Sequence, residues 1–600
     1  MLGPIFMREF QTVPRRGAHY LARSASLGLL WVIGVTAWQA AVGWHRTALL
    51  GETARFGLML FQIFTYVLLT LLLFFAALSA ASTVSQEKDR RTFILLLLTD
   101  MRDYEIVLGK LLGSLLPIGL LLLGSTPVLA LLLLLGGIAP EQVVQAVLIL
   151  AATAFGSGSL GGLVALWRDR TFQSLALSVL FLVLYLCVAR GVALLPFVRP
   201  DAAPTVEAWL DPFMALQSVL EVSSRHSALH PAYGYFIVMV GLSVLLNVVG
   251  IWRLRKWNPR GEPIMQRERA EDDDKDRAKA HAAPGTIRRV WQNPILWREV
   301  RTLAYGRRPL LIKLAYFLVL SLICYFTLSR AIHPSTSGRQ PFAAAVGIVP
   351  VAILSMLLVS AQAVTAITSE RDGGALDLLL VTDLTPKEFI FGKLLGITWN
   401  VKEFLLPPLI LAGVYALRLE LLATPPRDQP ELSLSMNVEA LLCALGALLV
   451  LLAFVGVLGL HVALRTAASR VAIVNALGTV FFLSAGTLVS IYLILISSGF
   501  GYQWASFILF IATGVAGLWW VLSGTRPSGA LTLAAWICPI AMYYCVTNIV
   551  VAKPGSIEST DPLLPFLVVL GAFGFTIAAM LVPLLSEFDV ALGRTAAREE

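Results

Sequence analysis

Long apolar segments follow one another along this chain, and most charged residues lie in the short stretches between them. The segments are about 20 residues or longer, enough for an α-helix to cross roughly 30 Å of hydrocarbon. The period-two alternation that strands of a membrane β-barrel require is not seen. The pattern predicts an all-α polytopic membrane protein with 12–14 transmembrane helices. The segments fall at about residues 26–44, 56–84, 105–136, 142–166, 171–197, 232–252, 310–329, 342–368, 388–417, 440–464, 471–497, 501–523, 529–551 and 562–585.

A charged stretch divides these segments into two sets. Residues 1–257 contain six spans, residues 258–290 form a charged cytoplasmic linker, and residues 291–600 contain six to eight spans. The linker combines an acidic and basic run with Pro and Gly, a composition that does not bury enough surface to fold alone. Hydropathy leaves open whether residues 501–552 form two spans or a re-entrant or external hairpin.

Composition and the placement of charge agree with this architecture. Hydrophobic residues make up 57% of the 600 residues and charged residues 14%, whereas soluble proteins have about 45–50% and about 25%. Of the 46 Lys and Arg residues, 34 fall on one side of the predicted membrane and 10 on the other. Because positive residues accumulate in cytoplasmic loops, both termini and the linker are predicted to be cytoplasmic.

The chain contains an internal repeat whose strongest part lies in two loops. Residues 87–113 align with residues 370–396 without a gap, and 13 of the 27 aligned positions are identical. Since an even number of spans separates the copies, the two halves are parallel, unlike the inverted repeats of many secondary transporters. Besides leucines, the coincident residues are Glu87 and Glu370, Asp89 and Asp372, Thr99-Asp100 and Thr382-Asp383, and Gly109-Lys110 and Gly392-Lys393.

Each repeated loop joins the second and third spans of its half. In the first loop Phe93, Leu96 and Leu97 have helical i, i+3, i+4 spacing, which predicts a short amphipathic helix. The second loop repeats this row with Leu376, Leu379 and Leu380. Such a helix either lies on the membrane surface or docks into a groove of a cytoplasmic partner. Lipid contact requires only amphipathicity, so the matching charges favour a partner.

The loops resemble the signature loop of type-2 ABC exporter permeases. In that family an acidic and basic cluster precedes an apolar helix, and an E-I-x-x-G-K sequence enters the third span. Residues 85–100 and Glu105-Ile106-Val107-Leu108-Gly109-Lys110 carry the resemblance in the first half, and residues 369–382 carry it in the second. The N-P-I-L-W-R-E sequence from Asn293 and Asp211-Pro212-Phe213 before the sixth span are also similar to the family.

This resemblance implies a tandem parallel repeat of six-helix type-2 ABC permease units. An amphipathic helix would precede each unit, over about residues 3–18 and 293–307. Each loop would be a coupling helix that rests on an ATPase. The residues that the resemblance assigns to coupling are Glu87, Lys88, Asp89, Arg91, Thr99, Asp100, Glu370, Arg371, Asp372, Thr382 and Asp383.

The implied function is that of a permease subunit that couples ATP hydrolysis by a separate cytoplasmic ABC ATPase to export of a substrate. Gly109-Lys110 and Gly392-Lys393 are both followed by Leu, so neither is part of a G-x-x-x-x-G-K-[ST] loop. ATP and Mg are therefore expected on the partner ATPase, and two copies of this ATPase are expected per complex. Membrane lipid is a further expected partner and nucleic acid is not, and the location implied is the bacterial inner membrane.

Two other classes of function remain open at this point. A non-transporting membrane anchor or assembly factor would recruit a cytoplasmic protein through the same loops. A secondary transporter is disfavoured by the parallel repeat and by the small number of charges inside the apolar segments. No sequence typical of a metal site or of a catalytic nucleophile is seen in those segments.

Lys402 and Glu403 interrupt an apolar segment of the second half. They lie nine and ten residues beyond Lys393, which is about 13–15 Å along a helix. A charge inside a membrane costs at least about 2.5–3.5 kcal/mol and usually faces the bundle interior or a wet cavity. A role in the transport pathway or in gating is one interpretation, and a structural ion pair or a Lys that reaches the interface is the other. His461 stands alone near the end of its apolar segment, and this favours a packed or interfacial histidine over a ligand.

Overall fold

The structure is a computed structural model of the 600-residue chain. Every regular element in the described part of the chain is helical, which confirms the predicted all-α fold. The described residues are 3–13, 17–41, 50–90, 92–168, 170–192, 203–220, 230–258, 291–301, 309–332, 341–376, 379, 384–422, 430–496, 503–523, 528–551 and 562–586.

The described residues before the linker form ten α-helices. Six of them, α2, α3, α5, α6, α7 and α10, cover the six predicted apolar segments, and a 3-10 turn over Leu132–Leu135 extends α5. The helices are α1 (Gly3–Thr12), α2 (Gly17–Ala41), α3 (Leu50–Asp89), α4 (Thr92–Leu98), α5 (Asp103–Leu131), α6 (Pro140–Trp167), α7 (Thr171–Gly191), α8 (Ala203–Leu210), α9 (Pro212–Leu220) and α10 (Pro231–Trp257).

The described residues after the linker form nine further helices. Residues 501–552, whose structure hydropathy left open, contain two separate helices of 21 and 23 residues, α17 and α18. The nine helices are α11 (Pro294–Arg301), α12 (Pro309–Ile332), α13 (Pro341–Asp372), α14 (Pro386–Leu422), α15 (Pro430–Arg465), α16 (Ser469–Ile496), α17 (Gln503–Ser523), α18 (Gly529–Val551) and α19 (Leu563–Ser586).

Eleven of the described helices are long and apolar enough to cross a membrane. They are α3, α5, α6, α7, α10, α13, α14, α15, α16, α18 and α19. Helices α12 and α17 contribute shorter apolar stretches, Lys313–Tyr325 and Phe507–Leu522. The chain is therefore an integral membrane protein with many transmembrane helices.

Local sequence explains where several of these helices begin and end. Eight helices start at a proline, which is favoured in the first turn because its nitrogen has no hydrogen to leave unpaired. The turn between α5 and α6 requires glycine. Gly137 has a φ of +79°, and a Cβ at this position would lie 2.4 Å from the carbonyl oxygen of Ala54.

Two apolar core clusters each contain residues of both halves. Helix α7 packs against α12 and α13, and α2 packs against α16 and α17. The rings of Phe74 and Phe75 on α3 have their centroids 5.8 and 5.4 Å from that of Phe481 on α16. Helix α3 also contacts α13. The two helices that lead into the repeated loops are thus neighbours.

Candidate functional site

The first loop contains a short helix whose apolar row faces the protein. Phe93 and Leu97 of α4 are buried, and Leu96 packs against the same core. The row predicted to lie on the membrane surface or in a partner's groove therefore contacts the chain itself. Leu95 and Leu98 lie on the other side of α4 and are 64% and 63% exposed. The outward face of this helix is apolar.

The charged residues at the end of α3 are bonded to other spans. The Lys110 ammonium on α5 donates a hydrogen bond to Oε1 of Glu87. Lys88 Nζ donates to the carbonyl oxygens of Leu166 and Arg168, at 2.6 and 3.0 Å, where α6 ends. The last carbonyls of a helix lack partners within the helix and attract a cation. Lys88 therefore holds the loop to the end of α6.

Asp89 and Arg90 extend these contacts to α7 and to the other half. The Thr171 hydroxyl at the start of α7 donates to Asp89 Oδ2 at 2.5 Å. Arg90 Nη2 donates to Oδ1 of Asp372, the last residue of α13, at 3.3 Å. We call the contacts of residues 87–89 the first clamp. The Arg90 pair joins the first loop directly to the second.

The second loop has a matching set of contacts, which we call the second clamp, formed by Glu370 and Arg371. Lys393 Nζ on α14 lies 2.7 Å from Glu370 Oε1 and 2.6 Å from Oε1 of Glu299 on α11. It also donates to the Ala366 carbonyl oxygen at 3.1 Å. Arg298 contacts both carboxylates. Because Lys393 is fully buried, these partners replace the water that a charged group loses on burial.

Arg371 plays the part that Lys88 plays in the first clamp. Its Nη1 donates to the carbonyl oxygens of Ala463 and Thr466, at 2.9 and 2.5 Å, where α15 ends. Its Nη2 donates to the Ser469 hydroxyl at 3.1 Å, where α16 begins. One guanidinium thus holds the fourth and fifth spans of the second half together.

Two glycines of each repeated sequence allow a short helix to cross the third span. A Cβ on Gly392 would lie 2.9 Å from the Ile295 Cβ of α11, and one on Gly396 would lie 2.5 Å from the Glu299 Cβ. In the first half, a Cβ on Gly109 would meet α1 at 3.2 Å. The close crossing of α11 and α14 brings the Glu299 carboxylate into the second clamp.

Part of the predicted coupling site is described and part is not. Thr99 donates from its hydroxyl to the Leu96 carbonyl oxygen at 2.6 Å, and Asp100 is exposed. The predicted residues that lie outside the described part of the chain are Arg91, Leu380, Thr382, Asp383 and linker residues 259–290.

Lys402 and Glu403 have different partners. Lys313 of α12 donates to Oε1 of Glu403, which places that carboxylate in an ion pair between helices. Lys402 Nζ lies 3.5 Å from the centroid of the Trp399 ring. Such a contact contributes about 2 kcal/mol or more when desolvated, which is comparable with the cost of about 2.5–3.5 kcal/mol for a charge in the membrane.

A further charged cluster connects α7 to α8 and α9. Asp211 is buried and accepts a hydrogen bond from the Phe213 backbone nitrogen at 2.9 Å. Arg190 lies 2.7 Å from the Asp211 carboxylate and 2.9 Å from Glu207. Burial raises the pKa of Asp211, and the charge of Arg190 opposes that rise. The Asp-Pro-Phe sequence singled out above thus begins α9 and fixes it to α7.

In the described part of the chain, no group of three or more His, Cys, Asp or Glu side chains is placed to hold a metal ion. His461 is buried between two polar partners. Its Nδ1 lies 3.1 Å from the Met580 carbonyl oxygen and its Nε2 lies 3.2 Å from the Ser528 hydroxyl. This environment is that of a packed histidine.

Sequence reasoning missed most partners of the predicted loop residues. Lys110 and Lys393 were aligned with each other but were given no role. Glu299 lies in the N-P-I-L-W-R-E sequence, and its pairing depends on a helix crossing that the sequence does not reveal. Thr171 and Ser469 are the first residues of the fifth spans of the two halves. Their equivalent positions were the sequence signal that could have identified them as partners of the loops.

In comparisons with known proteins, no family model and no curated protein matches this chain. The function proposed below therefore rests on the residues and contacts of the chain itself.

Proposed function

We propose that this chain is the membrane subunit of an ATP-driven exporter of the type-2 ABC permease family. The observation that carries the proposal is the pair of clamped loops joined by Arg90 and Asp372. This ion pair brings the starts of the two matching loops together at one end of the helix bundle. A dimeric ATPase has two equivalent sites, and one loop would be available to each.

The clamps supply a physical route from that surface into the membrane. The first loop is bonded to α5, α6 and α7 through Glu87, Lys88 and Asp89. The second loop is bonded to α14, α15 and α16 through Glu370 and Arg371. A displacement of either loop would therefore move three spans together. Movement of this kind is what couples an external ATPase to a translocation path.

The clamps also divide the predicted coupling residues into two roles. Those with internal partners position the loops: Glu87, Lys88, Asp89, Glu370, Arg371 and Asp372. Contact with the ATPase falls to exposed groups, chiefly Leu95, Leu98 and Asp100 in the first loop. Two exposed leucines three residues apart on one helix suit insertion into an apolar groove.

The remaining parts of the proposal follow from the sequence. The chain has no phosphate-binding loop, so ATP and Mg would be bound by the ATPase partner. The excess of Lys and Arg on the side of the loops supports cytoplasmic termini and insertion in the bacterial inner membrane. Lys402 and Glu403 stay predictions for the transport pathway, and the pairing of Glu403 with Lys313 supports a structural role for that carboxylate.

Co-purification with its ATPase tests the proposal. The double variant Leu95→Asp with Leu98→Asp places charge on the exposed face of α4. We expect it to fold normally and to lose a Walker-motif ATPase that the unaltered chain retains. Leu134→Asp is the matched control, because Leu134 is also exposed and lies beyond the opposite end of α5.

Equal recovery of the ATPase with all three proteins would contradict the docking assignment. ATP-dependent substrate flux in proteoliposomes that contain both subunits separates an exporter from an anchor. ATPase recruitment without any flux would favour the anchor or assembly factor.

A further inference from the structure

Helix α14 carries two lysines in opposite environments. Lys393 and Lys402 are nine residues apart, which is two and a half turns at 3.6 residues per turn, so their side chains leave opposite faces. Lys393 is fully buried among two carboxylates and a carbonyl oxygen. Lys402 lies on the outward face of the same helix.

That outward face is an apolar stripe. Its residues recur every three or four positions and are exposed on the protein: Phe391, Leu395, Trp399, Leu406, Ile410 and Val414. Lys402 interrupts the stripe between Trp399 and Leu406. The stripe runs within Pro386–Val414, one of the stretches long and apolar enough to span the membrane. Its natural surroundings are therefore lipid acyl chains.

Lys402 meets this surface without a carboxylate partner among the described residues. Its neighbour Glu403 is bonded to Lys313 of α12. The contact of Lys402 is with the Trp399 ring, which is 51% exposed. A ring face accepts no ordinary N–H···O hydrogen bond, so the three N–H donors of the Lys402 ammonium have no oxygen acceptor among the described residues. The site thus has a cation, an aromatic wall and an apolar surface, and it lacks an anion.

We propose that Lys402 and Trp399 form a binding site for an anionic phospholipid of the surrounding bilayer. The phosphate would accept hydrogen bonds from the Lys402 ammonium, which reaches toward the headgroups beside Trp399. The acyl chains would lie along the part of the stripe beyond Lys402, which is formed by Leu406, Ile410 and Val414. A zwitterionic lipid carries its own cation and so supplies less net charge. Gly119, the aligned residue of the first half, has no side chain, so the site belongs to the second half alone.

Lipid titration of the delipidated full chain in detergent tests this site. Native mass spectrometry would compare phosphatidylglycerol with phosphatidylcholine. We expect the unaltered chain to bind phosphatidylglycerol about tenfold more tightly and Lys402→Gln to lose most of that preference. Lys402→Arg should keep it. Lys387→Gln is the matched control, because Lys387 is exposed near the start of the same helix.

A second measurement uses the unaltered membrane protein and one conservative variant. Brominated phosphatidylglycerol should quench the fluorescence component that Trp399→Phe removes, and brominated phosphatidylcholine should quench it less. Equal binding of the two lipids by the unaltered chain would overturn the proposal. So would an equal loss of preference in Lys387→Gln and Lys402→Gln, or equal quenching of Trp399 by both brominated lipids.

Discussion

The two clamps are built from matching residues but differ in how fully their lysines are paired. Lys393 is 0% exposed and lies between Glu299 and Glu370. Lys110 is 8% exposed and has the single carboxylate of Glu87. The equivalent of Glu299 in the first half is Glu9, which pairs with Arg8 instead. The same sequence motif thus closes a network in one half and leaves two separate ion pairs in the other.

The degree of burial explains this difference. An ammonium has three N–H donors and no acceptor. Lys393 uses all three, on Glu299, Glu370 and the Ala366 carbonyl oxygen. Lys110 borders a cavity of about 20 Å³, large enough for one water molecule. A lysine that water can reach requires fewer protein partners.

The largest predicted effect comes from removing the buried lysine. Lys393→Met leaves the buried carboxylate of Glu299 and the partly buried one of Glu370 with only Arg298 between them, and we expect a loss of about 3–5 kcal/mol in the free energy of unfolding. Lys110→Met should cost less, because Glu87 is more accessible to water. Thermal unfolding of both variants in one detergent compares them. Equal shifts in Tm would show that the clamps do not differ in this way.

The helix-end contacts should come next. Arg371→Ala removes three hydrogen bonds at α15 and α16, whereas Lys88→Ala removes two at α6. We expect Arg371→Ala to cost about 1.5–3 kcal/mol, the range for hydrogen bonds to a charged group. Hydrogen exchange should accelerate locally, at residues 463–470 for Arg371→Ala and 166–171 for Lys88→Ala. Uniform acceleration along the chain would contradict a local role.

A smaller effect is expected from the carboxylates of the two short helices. Glu299→Gln keeps the shape of the side chain but removes one charge beside Lys393, and we expect a cost of about 1 kcal/mol. Glu9→Gln should change stability by less than about 0.5 kcal/mol, as is usual for surface positions. Chemical denaturation of the pair measures both. A larger effect at Glu9 would place that residue in a network like the second clamp.

The smallest effect on stability should come from the ion pair between the loops. The side chain of Arg90 is 51% exposed and that of Asp372 is 7% exposed, and ion pairs that water reaches contribute about 0–1 kcal/mol. Arg90→Ala should therefore lower Tm only slightly, while cross-linking between cysteines placed in the two loops should decrease. Arg90→Lys is the control that keeps the charge. Unchanged cross-linking in Arg90→Ala would show that this ion pair does not hold the two loops together.

Sequence reasoning was most reliable where a property depends on neighbouring residues. The apolar segments at 501–523 and 529–551 were recognised as helical candidates, and α17 and α18 lie there. The row of Phe93, Leu96 and Leu97 was recognised as one face of a helix. The prediction placed this face on the membrane surface or in a partner's groove, whereas Phe93 and Leu97 are buried in the chain's own core. An apolar face looks the same in sequence whether lipid, a partner or the core covers it.

The candidate site was harder to predict because its contacts join distant positions. Glu87 and Lys110 are 23 residues apart and were both noted as repeated charges. Arg90 and Asp372 are 282 residues apart, and Arg90 is not matched in the second copy. Lys402 was noted as unusual, but only the exposed stripe of α14 shows that it faces outward.

The sequence by itself determined the membrane class, the helices and the presence of charged residues at matching loop positions, because hydropathy and helical period are local properties. The tertiary structure decided which charges meet. A short helix crosses the third span at two glycines in both halves, but only Glu299 reaches the lysine there, whereas Lys110 pairs with Glu87 alone. Whether two charged side chains form an ion pair depends on a difference of a few ångströms in the distance between their helices. That distance is set by packing over the whole bundle.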